Sequence, residues 1–220
     1  MKTRALLSAV ILLGALVGCG TTISETSTTP QIAQYRIVRI AVLPFSVVQP
    51  ALGRQFGSVA PAVPVTAGDK LADAFYLKLN VREGLAVVPP SLVREAMPSI
   101  TASVAGRHVL RDLGERLDVA AVLEGTVDMY QERKGSAMGL ERAEDAAAVR
   151  FSVRLISVKD NQILWSGDYA ERQRPLTEDI AGFLQRGVRF VTVDELADSA
   201  VDNVLRGFPL GHLPQRTQGE

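Results

Sequence analysis

The sequence predicts an α/β (α+β) fold, a single domain in which a mixed sheet with an antiparallel hairpin has helices packed on it. Short β-rich apolar runs alternate along the chain with segments whose apolar residues recur at helical spacing. In chain order the elements are β, α, β, α, α, β, β, β, α, which predicts helices on at least one face of a mixed sheet. One pair of neighbouring strands has an apolar face and a charged face, which is typical of antiparallel strands with one solvent side.

The first strand and helix follow from local pattern. Residues 37–43 (IVRIAVL) form an apolar run that ends at Pro44, as expected of a central strand. Thr66 and Asp69 have the spacing of a helix capping box. The apolar residues of the helix that follows fall on one face: Leu71, Ala74, Phe75 and Leu79.

The middle of the domain continues the alternation of strands and helices. Residues 85–88 (LAVV) form a short apolar run, which predicts a second buried strand. A brief helix is expected over residues 90–97 and another over 107–117. The second of these leads directly into a third strand at 119–127.

The antiparallel pair lies in the next segment. Residues 149–155 (VRFSVRL) alternate apolar and polar side chains. Asp160 and Asn161 have turn chemistry, and Ile163 and Trp165 resume the alternation on the strand that returns.

The last helix has signals at both ends. Thr192 and Glu195 repeat the capping-box spacing, and Gly207 and Pro209 follow the last apolar residue of the helix. Its apolar stripe consists of Leu196, Ala197, Ala200, Val201, Val204 and Leu205.

The N-terminus has the pattern of a secretory signal. Lys2 and Arg4 precede an uncharged apolar run over residues 5–17, which is too short to cross a bilayer as a helix, since that needs ~20 residues. The run ends in residues 16–19 (LVGC), which resemble the lipobox of bacterial lipoproteins. That resemblance implies cleavage before Cys19, acylation of this cysteine and a stable lipid anchor. An aspartate after the cysteine often retains such lipoproteins in the inner membrane, and this chain has Gly20 there. The outer membrane is therefore the expected destination, with the domain facing the periplasm.

These signals divide the chain into four parts. Residues 1–18 are predicted to be a signal peptide and residues 35–209 the globular domain. Residues 19–34 contain the lipidated cysteine and a Ser/Thr-rich tether, which spans ~20 Å as a flexible coil. Residues 210–220 are predicted to be a flexible tail.

Three segments together resemble a known family. They are residues 40–45 (IAVLPF), 113–127 (LGERLDVAAVLEGTV) and 149–169, which end in ILWSGDY. The resemblance is to the α/β domain shared by the curli secretion lipoprotein CsgG, the penicillin-binding-protein activator LpoB, the flagellar lipoprotein FlgO and the amino-terminal domain of TolB. It implies an envelope location and work through protein contacts, not chemistry.

One feature departs from CsgG, which builds a pore from long inserted hairpins. Each such hairpin needs two membrane strands of ~9–11 residues. Residues 132–145 are too few and too polar for this, so no pore is expected. Their charged residues are Glu132, Arg133, Lys134, Glu141, Arg142, Glu144 and Asp145.

The residues give little sign of catalysis. The chain has one cysteine and two histidines, His108 and His212, without metal-ligand spacing, and it lacks phosphate-loop, nucleophile-elbow and dinucleotide motifs. We therefore expect that the protein binds no metal and no cofactor and that it is not an enzyme. The 24 basic and 24 acidic residues balance, which argues against a nucleic-acid partner. The alternative to a binding protein is a periplasmic cell-wall glycan hydrolase, which needs a deep pocket with converging carboxylates.

The segment 46–65 is the first candidate partner surface. Irregular connections beyond ~12–15 residues are usually functional or disordered. This one has apolar side chains and no acidic residue, so it is either folded back onto the core or held for a partner. The candidate contact residues are Val47, Val48, Leu52 and Phe56.

Two further candidates lie on the predicted hairpin. Arg150 and Arg154 share its polar face and form a secondary candidate surface for an acidic partner, although pairing with neighbours such as Asp168 or Glu171 is the commoner outcome. Trp165 is favoured as a core residue over a sugar-stacking platform. The sequence thus predicts a non-catalytic envelope lipoprotein that binds a partner protein or itself, as an accessory to a secretion, transport or peptidoglycan-synthesis machine.

Overall fold

A computed structural model of the chain describes residues 22–49, 62–103, 109–133, 146–173 and 191–214, with side chains described as far as Met97 in the second range. The signal segment and Cys19 lie outside the described residues, as do Leu52, Phe56 and His108. Within them the predicted fold class is confirmed as one mixed α+β domain. The described ranges contain seven strands and four α-helices.

The strands are β1 (Ile23–Thr28), β2 (Arg39–Val42), β3 (Ser46–Val47), β4 (Ala86–Val88), β5 (Ala121–Gln131), β6 (Ala148–Ser157) and β7 (Ile163–Arg172). The helices are α1 (Thr66–Asn80), α2 (Pro90–Ser103), α3 (Val109–Leu117) and α4 (Val193–Leu205). The sheet order is β1-β7-β6-β5-β2-β4, and β3 continues beside β5 after β2. β2 pairs in parallel with both β4 and β5, and β3 pairs in parallel with β5. The pairs β5–β6, β6–β7 and β7–β1 are antiparallel.

Helices lie on both faces of the sheet. The larger core joins α1 and α4 to one face, and the smaller core joins α2 and α3 to the other face at β2, β4 and the start of β5. A row of aromatic rings crosses the larger core from Phe45 to Phe75, Phe151 and Tyr169, with centroid separations of 5.4, 5.8 and 5.8 Å. Gly125 leaves room for the first ring, because a Cβ there would lie 2.2 Å from Phe45 Cε2.

Strand β1 lies within the segment 19–34 that the sequence predicts to be a flexible tether. Ile23–Thr28 form the outer strand of the sheet, paired along their whole length with β7. Residues 32–35 then make a turn of 3₁₀-helix. The prediction of a tether was wrong because it relied on the scarcity of large apolar residues, whereas all six residues of this edge strand are exposed. Ile and Thr nevertheless favour extended backbone.

Only one of the two predicted capping boxes is present. In α4 the backbone N–H of Glu195 donates to Thr192 Oγ1 at 3.2 Å, and the Glu195 carboxylate accepts from the Thr192 N–H at 3.1 Å. The box predicted at α1 is wrong, since Thr66 is already helical and Val65 precedes it without a side-chain cap. Asp69 instead accepts a hydrogen bond from Arg94 on α2 at 3.0 Å.

The domain extends past its predicted C-terminal boundary. His212 forms a two-way backbone bridge with Glu83, so the predicted flexible tail is wrong at its first residues. Helix α2 continues to Ser103, beyond the end expected near Met97. The alternation expected of Ile163 and Trp165 is also interrupted, because the register of β6 and β7 shifts between Leu155 and Ile156. Ile163 is exposed as a result, whereas Trp165 is buried.

Candidate interaction surface

The base of the 46–65 segment is held by the sheet and by one side chain. Val47 pairs with Val127 of β5 and is half-buried against the core, whereas the side chain of Val48 is 47% exposed. Gln49 donates to the carbonyl oxygen of Val63 at 2.8 Å and accepts from the N–H of Val63 at 3.2 Å. The two ends of the segment are therefore fastened together, and Leu52 and Phe56 fall in the part that is not described.

The sheet has an exposed polar surface on the side opposite α1 and α4. In the part of the chain that the structure describes, α2 and α3 cover only the β2–β4 side of this face. The other half is formed by alternate residues of β5, β6, β7 and β1. We call it the polar face and define it by Glu124, Asp128, Arg150, Ser152, Arg154 and Asp168.

The two arginines of the polar face differ in their surroundings. Arg154 pairs across the strand with Glu124 on β5, with an Nη2–Oε1 distance of 2.8 Å. Arg150 lies with Asp128 and Asp168 in an open depression of about 430 Å³, and no ion pair of its guanidinium with a described residue lies within 4.0 Å. Pairing was the expected outcome for both, and it occurs for Arg154 with a partner that the sequence did not single out.

Of two other residues that the sequence singled out, Trp165 is buried and Glu171 is partly exposed. Trp165 is confirmed as a core residue, since its ring is edge-on to Phe208 at 4.9 Å and its Nε1 donates to the carbonyl oxygen of Gly207 at 2.9 Å. Glu171 accepts a short hydrogen bond from the hydroxyl of Tyr169. Neither residue is presented to a ligand on the polar face.

The displaced carboxyl pKa values in the described residues have structural causes. Hydrogen bonds from Lys70 and then Tyr130 hold the pKa of Asp194 below its ordinary value. A hydrogen bond with Ser157 does the same for the pKa of Asp160. A general acid of a glycan hydrolase needs a raised carboxyl pKa. The pKa values of Asp194 and Asp160 are instead lowered.

Strand β1 is the part of this surface that the sequence pattern did not predict. Ile23 is the first residue of β1 and lines the same depression as Arg150. The signal available in the sequence was the run of β-branched residues in residues 21–29 (TTISETSTT), which favours extended backbone even where nothing is buried.

Membrane-spanning helices and metal clusters are both absent from the described ranges. None of the helices in them is long and apolar enough to cross a membrane. The same ranges contain no group of three or more His, Cys, Asp or Glu side chains arranged to hold a metal ion.

The fold and this surface define an α+β domain with an open, mixed-charge sheet face. No family model and no curated protein sequence matches the chain. Among solved structures, it is similar to PelC of Paraburkholderia phytofirmans, solved as a dodecamer, with 15% identity and a TM-score of 0.51 over 84% of this chain and 94% of that one.

Two looser matches are similar over most of their own length. Lipoprotein GNA1162 of Neisseria meningitidis is 18% identical, with a TM-score of 0.48 over 77% of this chain and 99% of that one. The C-terminal domain of LpoB from Salmonella enterica is 11% identical, with a TM-score of 0.37 over 66% and 94%. At such identities the likeness to these proteins concerns the fold.

Proposed function

We propose that this chain is a non-catalytic lipoprotein of the bacterial envelope whose periplasmic domain binds partner proteins or copies of itself. It acts as an accessory to a secretion, transport or peptidoglycan-synthesis machine. The observation that carries this proposal is the lipobox at residues 16–19, which ends on the only cysteine of the chain. Acylation of Cys19 holds the domain at the outer membrane.

The surface of the domain is better suited to binding another protein than to catalysis. Within the described residues, the depression on the polar face is open, and its charged lining residues are Arg150, Asp128 and Asp168. Reaction sites are usually concave and mostly apolar, with a few converging polar groups. A polar, mixed-charge surface is instead typical of the rim of protein–protein interfaces.

Self-assembly is the form of contact that the comparisons favour. PelC, whose fold this chain resembles, was solved as a dodecamer. A closed ring needs two different, complementary surfaces on each copy. The polar face and the 46–65 segment are the two candidates for these surfaces, and the segment leaves the sheet at β3, which pairs with Thr126 and Val127 of β5.

The 46–65 segment is proposed as the first partner surface, through Val48, Leu52 and Phe56. The exposed side chain of Val48 supports this, since it lies where the segment leaves the sheet. Val47 contributes less, because its side chain is already partly buried against the core. Arg150 is the second surface, because Arg154 is already paired with Glu124.

The anchor is tested by comparing the natural chain with Cys19→Ala behind an ordinary cleavable signal. The natural chain should fractionate with the outer membrane and yield an N-terminal peptide with the mass of an acylated cysteine. The variant should be released as a soluble periplasmic protein. Binding of the variant to outer membranes in high salt would contradict the proposal that lipid on Cys19 is what holds the domain there.

A further inference from the structure

We propose that the lipid anchor holds the domain directly against the bilayer, with the Ile23 end of the sheet facing the lipid headgroups. This inference rests on the proposed acylation of Cys19. The Ile23 end is then the part of the domain that contacts the membrane, and the domain does not move freely on a long tether.

The length of chain between the anchor and the fold is short. All residues of β1 from Ile23 onward are paired with β7, beginning with Ile23 opposite Ala170. Only residues 20–22 therefore separate Cys19 from the sheet. Four residue steps reach at most ~14 Å, whereas a free tether over residues 19–34 would reach more than ~50 Å when extended.

Strand β1 makes further contacts with the domain beyond its backbone pairing with β7. The pairing continues at Thr29. Its N–H donates to the carbonyl oxygen of Leu164, and its hydroxyl donates to the carbonyl oxygen of Ile163, both at 2.9 Å. The side chain of Thr26 lies against Gly207, since a Cβ on that glycine would be 2.3 Å from Thr26 Oγ1. These contacts join β1 to β7 and to the end of α4.

The direction of the strands decides which end of the sheet lies nearest the anchor. The row of paired residues at the start of β1 passes through Ala170 and Arg150 to Met129 on β5. The β6–β7 turn at Asp160 lies at the opposite end of the same hairpin. Five residue steps from Ser152, which pairs with Asp168, to Ser157 at the end of β6 extend ~17 Å at the rise of a strand, and the turn that contains Lys159 follows.

The charges at the Ile23 end indicate what kind of contact this is. Arg150 shares its depression with Asp128 and Asp168, so this part of the described surface has no excess of positive charge for anionic lipids. Ile23 is apolar and 49% exposed. The anchor and not lipid charge therefore sets the orientation, which should be the same on neutral and anionic bilayers.

The test uses the full-length acylated protein in phosphatidylcholine vesicles, with and without phosphatidylglycerol. Asp168→Cys and Lys159→Cys each place a single fluorophore on exposed ends of one hairpin, and Cys19 does not react because it is acylated. Quenching by a headgroup-attached quencher should be at least ~2-fold stronger at residue 168 than at residue 159, because the length of β6 between the two labelled ends of the hairpin is ~17 Å. The melting temperature of each variant verifies that it is folded.

The matched control inserts about twelve Gly and Ser residues between Gly20 and Thr21, which adds ~20 Å of mean reach. The difference between the two labels should then disappear. Equal quenching in the uninserted chain, or a difference that the insertion leaves unchanged, would overturn the orientation. A mass that lacks the acyl groups on Cys19 would overturn the proposed function as well, so the two failures are distinguishable.

Discussion

The guanidinium of Arg82 donates from Nη2 to the carbonyl oxygen of Leu205 at 2.6 Å, at the last residue of α4. Its Nη1 donates to the carbonyl oxygens of Phe208 at 3.2 Å and Leu210 at 3.0 Å. Arg82 lies two residues after the end of α1, so one buried cation closes the C-terminal end of α4 and holds the residues beyond it. Positive charge is favourable there because the helix dipole is negative at that end.

Arg82→Ala should lower the free energy of unfolding by at least ~2 kcal/mol, because several carbonyl oxygens lose a charged donor. Arg82→Lys should recover only part of this, since one ammonium cannot match the donor fork of arginine. The control is Arg206→Ala, an exposed arginine beside the same helix end, with an expected change below ~0.5 kcal/mol. Urea titration measures all three, and equal effects of Arg82→Ala and Arg206→Ala would contradict the closing role of Arg82.

The two helix starts give a matched pair of threonines. Thr192→Ala should cost ~1 kcal/mol, because it removes the oxygen that caps α4. Thr66→Ala should change stability by less than ~0.5 kcal/mol, because Thr66 caps nothing. Thermal unfolding of both variants decides the point. A cost at Thr66 as large as that at Thr192 would mean that the box expected from the sequence forms after all.

Acid should destabilise the domain through Asp194. Hydrogen bonds from Lys70 and then Tyr130 lower the pKa of Asp194 from its ordinary value of 3.8 in the folded state. Its stabilisation is therefore fully present above pH 3.8 and is lost as the pH falls through the lower folded pKa. The difference in unfolding free energy between the natural chain and Asp194→Asn should shrink over that window. A difference that stays constant down to pH 2 would contradict this linkage.

Alkali should weaken the contact between α1 and α4 through Lys78. Partial burial lowers the pKa of Lys78, but hydrogen bonds to Asp202 and Asp198 outweigh it and leave the pKa raised. The stabilisation is present below the ordinary value of 10.5 and is lost as the pH rises through the folded pKa. Since both aspartates are largely exposed, Lys78→Met should cost about 1 kcal/mol or less at pH 7, and urea titration should show this cost shrinking as the pH rises above 10.5.

The sequence predicted the elements whose information is local. Helix α4 has a capping box, an apolar stripe and a following Gly207, all within one short stretch, and each is present as expected. The strands β2, β4 and β5 were found because each begins with or contains a short run of apolar, largely buried residues. Trp165 was predicted to be a core residue as the alternating partner of Ile163, and it is buried although Ile163 is exposed.

The features that the sequence did not predict depend on residues that are far apart along the chain. β1 buries no side chain and exists only because β7 offers a free edge. The pairing of Arg154 with Glu124 requires the register of β5 and β6, and the exposure of Ile163 follows from a register shift. For Cys19, Leu52 and Phe56 the sequence hypotheses stay predictions.

The central claim, that this domain works through protein contacts made by the 46–65 segment, is tested most directly by crosslinking in intact cells. The natural chain is compared with Leu52→Ser/Phe56→Ser and with Leu77→Ser/Val81→Ser, in which two exposed apolar residues of and beside α1, 65% and 56% exposed, are changed instead. We expect the first double variant to keep its melting temperature and lose the crosslinks, whereas the second keeps both. Crosslinks that survive the first change, or a melting temperature that falls by many degrees, would contradict the claim, since Leu52 and Phe56 would then be dispensable for contact or part of the core.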